Sequence, residues 1–97
     1  MSSSFGIIWI SLALRDLKQL ARYIGQDDKE AAQKVLEHIR NAGQSLCRAP
    51  ERGRPGRVPG TRELILTGLP YYIVYRVRGE KVQIIRVLHT ARQWQPN

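Results

Sequence analysis

The chain has 97 residues, enough for one domain whose core is limited to burial of about 60–65% of the extended surface. With 42% hydrophobic and 25% charged residues it has the composition of a folded globule, which excludes a disordered tail. Its one cysteine, Cys47, excludes an internal disulfide and reads as a plain core or surface thiol.

The formal net charge of +8 is lopsided. Residues 1–47 carry six Lys/Arg against five Asp/Glu, a net of +1, whereas residues 48–97 carry ten against three, a net of +7. Twelve of the sixteen cations are arginine, the side chain suited to bidentate contact with phosphate or carboxylate. Such a field points to a polyanionic target or an acidic protein partner, without choosing between them.

The first element is an apolar run, Phe5 to Ile10, bounded by a serine cluster and read as a buried strand. The stretch Phe5–Leu14 lacks the basic leader and cleavage site of a signal peptide, and is far below the roughly 20 residues of a membrane span. A cytoplasmic protein is therefore expected, with no membrane contact. Ser11 is placed to cap a helix whose stripe is Ala13, Leu17, Leu20 and Ile24, and Gly25 to end it. A second helix follows, capped by Asp27 with Glu30 three residues on, and its stripe is Ala32, Val35, Ile39, Ala42 and Leu46. So short a connection makes the helices antiparallel, and their apolar stripes need a sheet to cover.

Between Ala49 and Thr61, six prolines and glycines leave neither helix nor strand plausible, and Arg48, Arg52, Arg54 and Arg57 are interleaved among them. From there the period becomes two. Strands are expected over Arg62–Leu66, Tyr71–Arg78 and Lys81–His89, with Gly79-Glu80 as a two-residue hairpin turn. The order β-α-α-β-β-β predicts an α+β fold, a helical hairpin packed on one face of a small, largely antiparallel sheet.

Alternation puts Tyr71, Ile73, Tyr75 and Val77 toward the helices and Tyr72, Val74, Arg76 and Arg78 away from them. Ile85, Val87 and His89 share one side of the last strand, and Ile84, Arg86 and Leu88 the other. If the arginine-bearing sides agree, Arg76 and Arg86 project from the face away from the helices, near Tyr72, with Arg54, Arg57 and Arg92 bordering them. That face, with Arg62, is the candidate surface for an anionic partner.

Several chemistries are set aside. No glycine-rich phosphate loop opens a helix, and His38, His89 and Cys47 have no metal-ligand spacing. No Ser/His/Asp set is present, and the carboxylates lie mainly on the helices. No metal and no cofactor are expected. General acid–base chemistry as in a metal-independent ribonuclease remains open, with His89, Arg92, Arg86 and Tyr72 as candidates. His38 reads as a surface residue.

The succession Arg57-Val58-Pro59-Gly60-Thr61-Arg62-Glu63-Leu64, then Pro70-Tyr71-Tyr72-Ile73-Val74-Tyr75-Arg76-Val77, then Val82-Gln83-Ile84-Ile85-Arg86-Val87-Leu88-His89, with Arg92 three further on, resembles the RelE/ParE toxin superfamily. Asp16-Leu17 and Tyr23-Ile24 agree in the front half, so the resemblance spans nearly the whole chain as one toxin domain, residues 1–97. It implies the toxin of a type II toxin–antitoxin module, a cytoplasmic growth inhibitor of the kind tied to plasmid stabilisation. It further implies a cognate antitoxin that wraps round the toxin, with operator DNA bound by the complex through the antitoxin.

The superfamily divides by target. RelE-like toxins are ribosome-dependent endoribonucleases that cut mRNA, using basic residues on the second strand, arginines on and after the third, and a tyrosine near the C-terminus. Here Glu63 and Ile65 stand where lysines are expected, Tyr72 where an arginine is, and Gln95-Pro96-Asn97 supply no tyrosine, although Arg92 fits. An acidic Glu63 beside a scissile phosphate would repel it by roughly 1 kcal/mol even in a solvated site. The ending Val87-Leu88-His89 with Arg92 looks more like the ParE branch, some of whose members poison DNA gyrase without being enzymes. The resemblance therefore leans to a ParE-like gyrase inhibitor, with the mRNA endoribonuclease and a non-toxic antitoxin-binding member as alternatives.

Overall fold

The computed structural model describes residues 4–95; Ser2 and Ser3 of the serine cluster, and Pro96 and Asn97, lie outside them. The elements are β1 (Gly6–Trp9), α1 (Ser11–Gly25), α2 (Lys29–Ser45), β2 (Arg54–Pro55), β3 (Arg62–Ile65), β4 (Tyr71–Arg78) and β5 (Lys81–His89). The sheet order is β1-β5-β4-β3-β2, with β1 parallel to β5 and the other pairs antiparallel. The expected α+β architecture is present, with a fifth, two-residue strand, β2, added in the connection between α2 and β3.

One core lies between the helices and the sheet. Ala13, Leu17 and Leu20 of α1, Ile39 of α2, Ile73 and Tyr75 of β4, and Val82, Ile84 and Val87 of β5 all belong to it. The second helix comes close to the sheet because residue 43 is glycine: a Cβ there would lie 2.7 Å from the Trp9 ring and 2.9 Å from Ile84. Glycine is also required in the β4–β5 turn, where Gly79 has φ +58, and among the described residues no non-glycine residue has positive φ.

Several local expectations are corrected. Ser11 is the first helical residue, and the N-cap position is Ile10, which makes no side-chain cap. Instead the Ile10 N–H donates to the Ile84 carbonyl at 2.9 Å, so the chain passes from sheet to helix without a loop. Gly25 is the last helical residue but is not left-handed, because the chain continues in turns: the Asp27 and Asp28 N–H groups both donate to the Ile24 carbonyl, at 3.2 and 3.1 Å. Asp27 is still inside those turns, so the cap falls on Asp28, the first extended residue. Its carboxylate accepts from the Glu30 and Ala31 N–H groups at 3.0 and 3.1 Å.

The proline-rich segment is not wholly loop either, since Arg54 and Pro55 pair with Glu63 and Arg62. An edge strand tolerates Pro55 because its missing N–H faces outward. Finally, β5 carries a bulge: Val74 pairs with Arg86 but Tyr75 pairs with Ile84, leaving Ile85 as the extra residue. Ile84 therefore joins Val87 on the helix side, while Ile85 and Leu88 pack on the other, which overturns the simple alternation expected for this strand.

Candidate functional site

The face away from the helices is not an open arginine surface. Tyr72, Val74 and Leu88 are buried there, with Ile85 and Trp94 packed on them. Three apolar side chains on a solvated face need cover, and the segment after β5 supplies it through Trp94. The Tyr72 hydroxyl donates to the Arg92 carbonyl at 2.7 Å and so ties that segment down.

Beside this small cluster lies a concavity of about 360 Å³, lined among others by Arg54, Arg57, Glu63, Tyr72 and Arg92. Four of the expected site residues thus meet, brought from β2, the following loop, β4 and the segment after β5. Glu63 faces outward as expected, but it is only 6% exposed and is held in an ion pair with Arg54 at 3.0 Å. Its other oxygen accepts from the Arg57 N–H at 3.4 Å. The carboxylate is therefore spent on holding the arginine loop, and its repulsion of an incoming anion is offset by Arg54. Arg57 and Arg92 are exposed, and among the described residues no hydrogen bond engages either guanidinium. Two solvated guanidinium groups flanking a neutralised pair have the chemistry to attract an anionic group.

The remaining expected residues lie elsewhere. Arg76 donates to Gln83 at 2.6 Å, at the end of the hairpin near the turn. Arg62 points to the loop on the helix side, donating to the Glu51 and Gly53 carbonyls at 3.2 and 2.7 Å. Arg86 does not project beside Arg76. The strand β1 covers β5 only from Lys81 to Ile84, and beyond it Asp16 of α1 takes the open edge. Its carboxylate accepts from the Val87 N–H at 2.9 Å and from Arg86 Nε and Nη2 at 2.8 and 3.0 Å. Hydrogen bonding to Asp16 raises the Arg86 pKa above its ordinary value, against the opposing effect of burial. The bulge and this bidentate pair turn Arg86 from a display residue into a clasp between helix and sheet.

His89 lies in a neighbouring concavity of about 450 Å³ that shares Arg92 and includes Tyr23 and Tyr71. Its ring meets Tyr71 edge-on, centroids 5.6 Å apart, and its Nδ1 accepts from the Ala91 N–H at 3.0 Å. Burial, with the Tyr23 phenol adding to it, raises the Tyr71 pKa. His38 is exposed on α2, and Cys47 is a half-buried free thiol whose carbonyl accepts from Phe5 at 2.8 Å. Among the described residues no cluster of His, Cys, Asp and Glu could hold a metal ion, and no helix is long and apolar enough to cross a membrane.

Two residues that shape the site carried little signal. Asp16 sits within the apolar stripe of α1, between Ala13 and Leu17, a position where a carboxylate needs a partner. Tyr75 is fully buried, and nothing in the sequence points to its hydroxyl's partners. On the helix side, an apolar groove of about 310 Å³ runs between α1 and α2, lined by Trp9, Leu14, Leu17 and Leu36 with Lys18 and Arg40 beside them.

Comparison with known proteins matches residues 7–94 to a family described as the ParE toxin of the type II toxin–antitoxin system parDE. The chain is 43% identical over 88 residues to the putative toxin Y4kP of Sinorhizobium fredii, covering 91% of each chain. It is 40% identical over 86 residues to toxin RelE2 of Caulobacter vibrioides, covering 89% of this chain and 96% of that one. Among solved structures, a chain of the chromosomal ParDE system from P. aeruginosa superposes with a TM-score of 0.80 at 29% identity, covering 89% of this chain and 96% of the other.

Proposed function

Because this chain belongs to the ParE toxin family of type II toxin–antitoxin systems, within the RelE/ParE superfamily, we propose that it arrests growth by binding DNA gyrase rather than by catalysis. A cognate antitoxin neutralises it in the cytoplasm, and operator DNA is bound by the complex through that antitoxin. The observation that carries the reading is the state of the arginine concavity. Cutting RNA there needs a base for the 2′-hydroxyl and an acid for the leaving oxygen. The concavity offers cations, but Tyr72 donates to the Arg92 carbonyl, Glu63 holds Arg54, and the Arg92 guanidinium, always protonated, is no base. Such a site binds an anionic surface without a means of cleaving it. The apolar groove between the helices, with Lys18 and Arg40 beside it, suits an acidic amphipathic segment of the antitoxin that folds on binding. No metal or cofactor enters this scheme.

A second reading, the ribosome-dependent mRNA endoribonuclease, is favoured by one observation: His89 and Arg92 share a concavity. The test is induction without antitoxin, with DNA damage signalling and message integrity followed together. An SOS response with intact messages, and loss of supercoiling by purified gyrase on adding the toxin, support the gyrase reading. Messages cut on translating ribosomes with supercoiling untouched overturn it, and unimpaired growth at confirmed expression points to a non-toxic member.

A further inference from the structure

The segment Pro50–Gly53, immediately before Arg54, is bound to two side chains that are neighbours across the sheet: Arg62 of β3 and Tyr75 of β4 are register partners. The Tyr75 hydroxyl accepts from the Gly53 N–H at 2.8 Å and donates to the Pro50 carbonyl at 2.7 Å. One Arg62 nitrogen donates to the Glu51 and Gly53 carbonyls at 3.2 and 2.7 Å. The fit is close, since a Cβ at Gly53 would fall 2.7 Å from the Tyr75 hydroxyl and ring edge. On the opposite face of β3, Glu63 holds the Arg54 side chain and the Arg57 N–H. The loop is thus gripped from both sides just where its arginines enter the concavity. A phenylalanine at 75 would fill the core equally well, and a segment that only joined α2 to β3 would need no such grip. Loops without it are mobile, and ordering one on contact weakens binding.

We propose that Tyr75 and Arg62 are positioning residues for target inhibition, holding residues 50–57 in the shape that presents Arg54 and Arg57 as preorganised cations. The inference rests on the reading that the arginine concavity contacts the target. Burial raises the Tyr75 pKa, so the phenol stays protonated at neutral pH and keeps its donor.

The test uses Tyr75→Phe, which keeps the ring and removes both hydrogen bonds. Growth arrest at matched expression is the readout, because it reports the target contact whichever macromolecule is hit. Far-UV circular dichroism and antitoxin affinity should stay as in the parent chain. Exchange of the Gly53 amide should accelerate, and the toxin level that halves growth should rise about tenfold, as expected for two lost hydrogen bonds and a freed loop. In an Arg54→Gln/Arg57→Gln background the same substitution should add less than about twofold, because the groups it positions are gone. A merely structural role would instead multiply the loss equally in both backgrounds.

Should Tyr75→Phe fail to fold, Arg62→Gln carries the test with the same expectation, and Arg62→Lys should restore part of the loss. Failure of the Arg54→Gln/Arg57→Gln pair to weaken growth arrest overturns the concavity reading itself. If that pair weakens arrest but Tyr75→Phe, with its Gly53 amide freed, arrests growth as before, the concavity stands and the positioning role is wrong.

Discussion

Two ion pairs of the same chemistry do different work in this molecule. Asp16–Arg86 is covered on both sides, with side-chain exposures of 9% and 21%, and joins α1 to β5 across 70 residues of sequence. Arg54–Glu63 is covered on one side only, 64% against 6%, and joins adjacent strands at the rim of a concavity. The first replaces a missing strand at the sheet edge, so its contribution is to stability. The second holds a cation where a partner can reach it, and its exposed arm is screened by water, so its contribution to stability is small. An arginine on a strand therefore says little about function until its carboxylate is found.

The largest expected effect is at the covered pair. Asp16→Ala strands the half-buried Arg86 and the Val87 N–H, and breaking such a pair costs about 3 kcal/mol. For a domain of this size that lowers the melting temperature by roughly 15 °C. Arg86→Ala should destabilise similarly, and its loss of growth arrest should follow the loss of folded protein. By contrast, Arg54→Ala should cost about 1 kcal/mol, since Glu63 keeps only the long bond from the Arg57 N–H. Thermal unfolding of both variants checks the contrast, which collapses if Arg54→Ala melts as early as Asp16→Ala.

The elements that the sequence made legible are those with a single consistent period. The limits of β4 and β5 were readable because eight and nine residues, largely β-branched or aromatic at the apolar positions, flank a glycine turn. The bulge was not, because Ile84 and Ile85 are the same residue type and neither announces which face it takes. The same degeneracy hid the helix cap, where Asp27 and Asp28 are adjacent. The strand β2 was masked by proline and glycine, and only the partner strand makes Arg54 and Pro55 extended. Of the candidate surface, alternation placed Tyr72 outward correctly, but the Asp16 clasp on Arg86 and the loop contacts of Arg62 depend on tertiary neighbours that no local pattern encodes.

The tyrosines beneath the sheet offer a smaller effect that neither ion pair shares. The Tyr75 and Tyr71 pKa values are both raised by burial. A raised folded value means that the protonated phenol contributes stability fully below the unfolded pKa, about 10, and that this is lost as pH rises through the folded value. Denaturant midpoints should therefore be flat from neutral pH to about pH 9 and fall beyond about pH 10. Tyr75→Phe should make that fall shallower while Arg54→Ala leaves it unchanged. An equally steep fall in Tyr75→Phe would place the alkaline sensitivity elsewhere.

Smallest in stability, and most telling for the comparison, is Arg92→Ala. The Arg92 side chain is exposed, and what the fold uses at this position is the backbone carbonyl that accepts from Tyr72, which the substitution leaves in place. The change in unfolding free energy should stay within about 0.5 kcal/mol, as for ordinary surface substitutions. Growth arrest at matched expression should nonetheless weaken about tenfold, the cost of one charge-assisted contact to an anionic partner. Arg92→Lys separates the two ways of making that contact: a point charge restores arrest if the partner needs only attraction, whereas a bidentate fork is not replaced by an ammonium. A fully toxic, fully stable Arg92→Ala would leave the guanidinium groups at this rim as solvated charges, and the exposed pair beside them would then hold a loop with no function beyond its own shape.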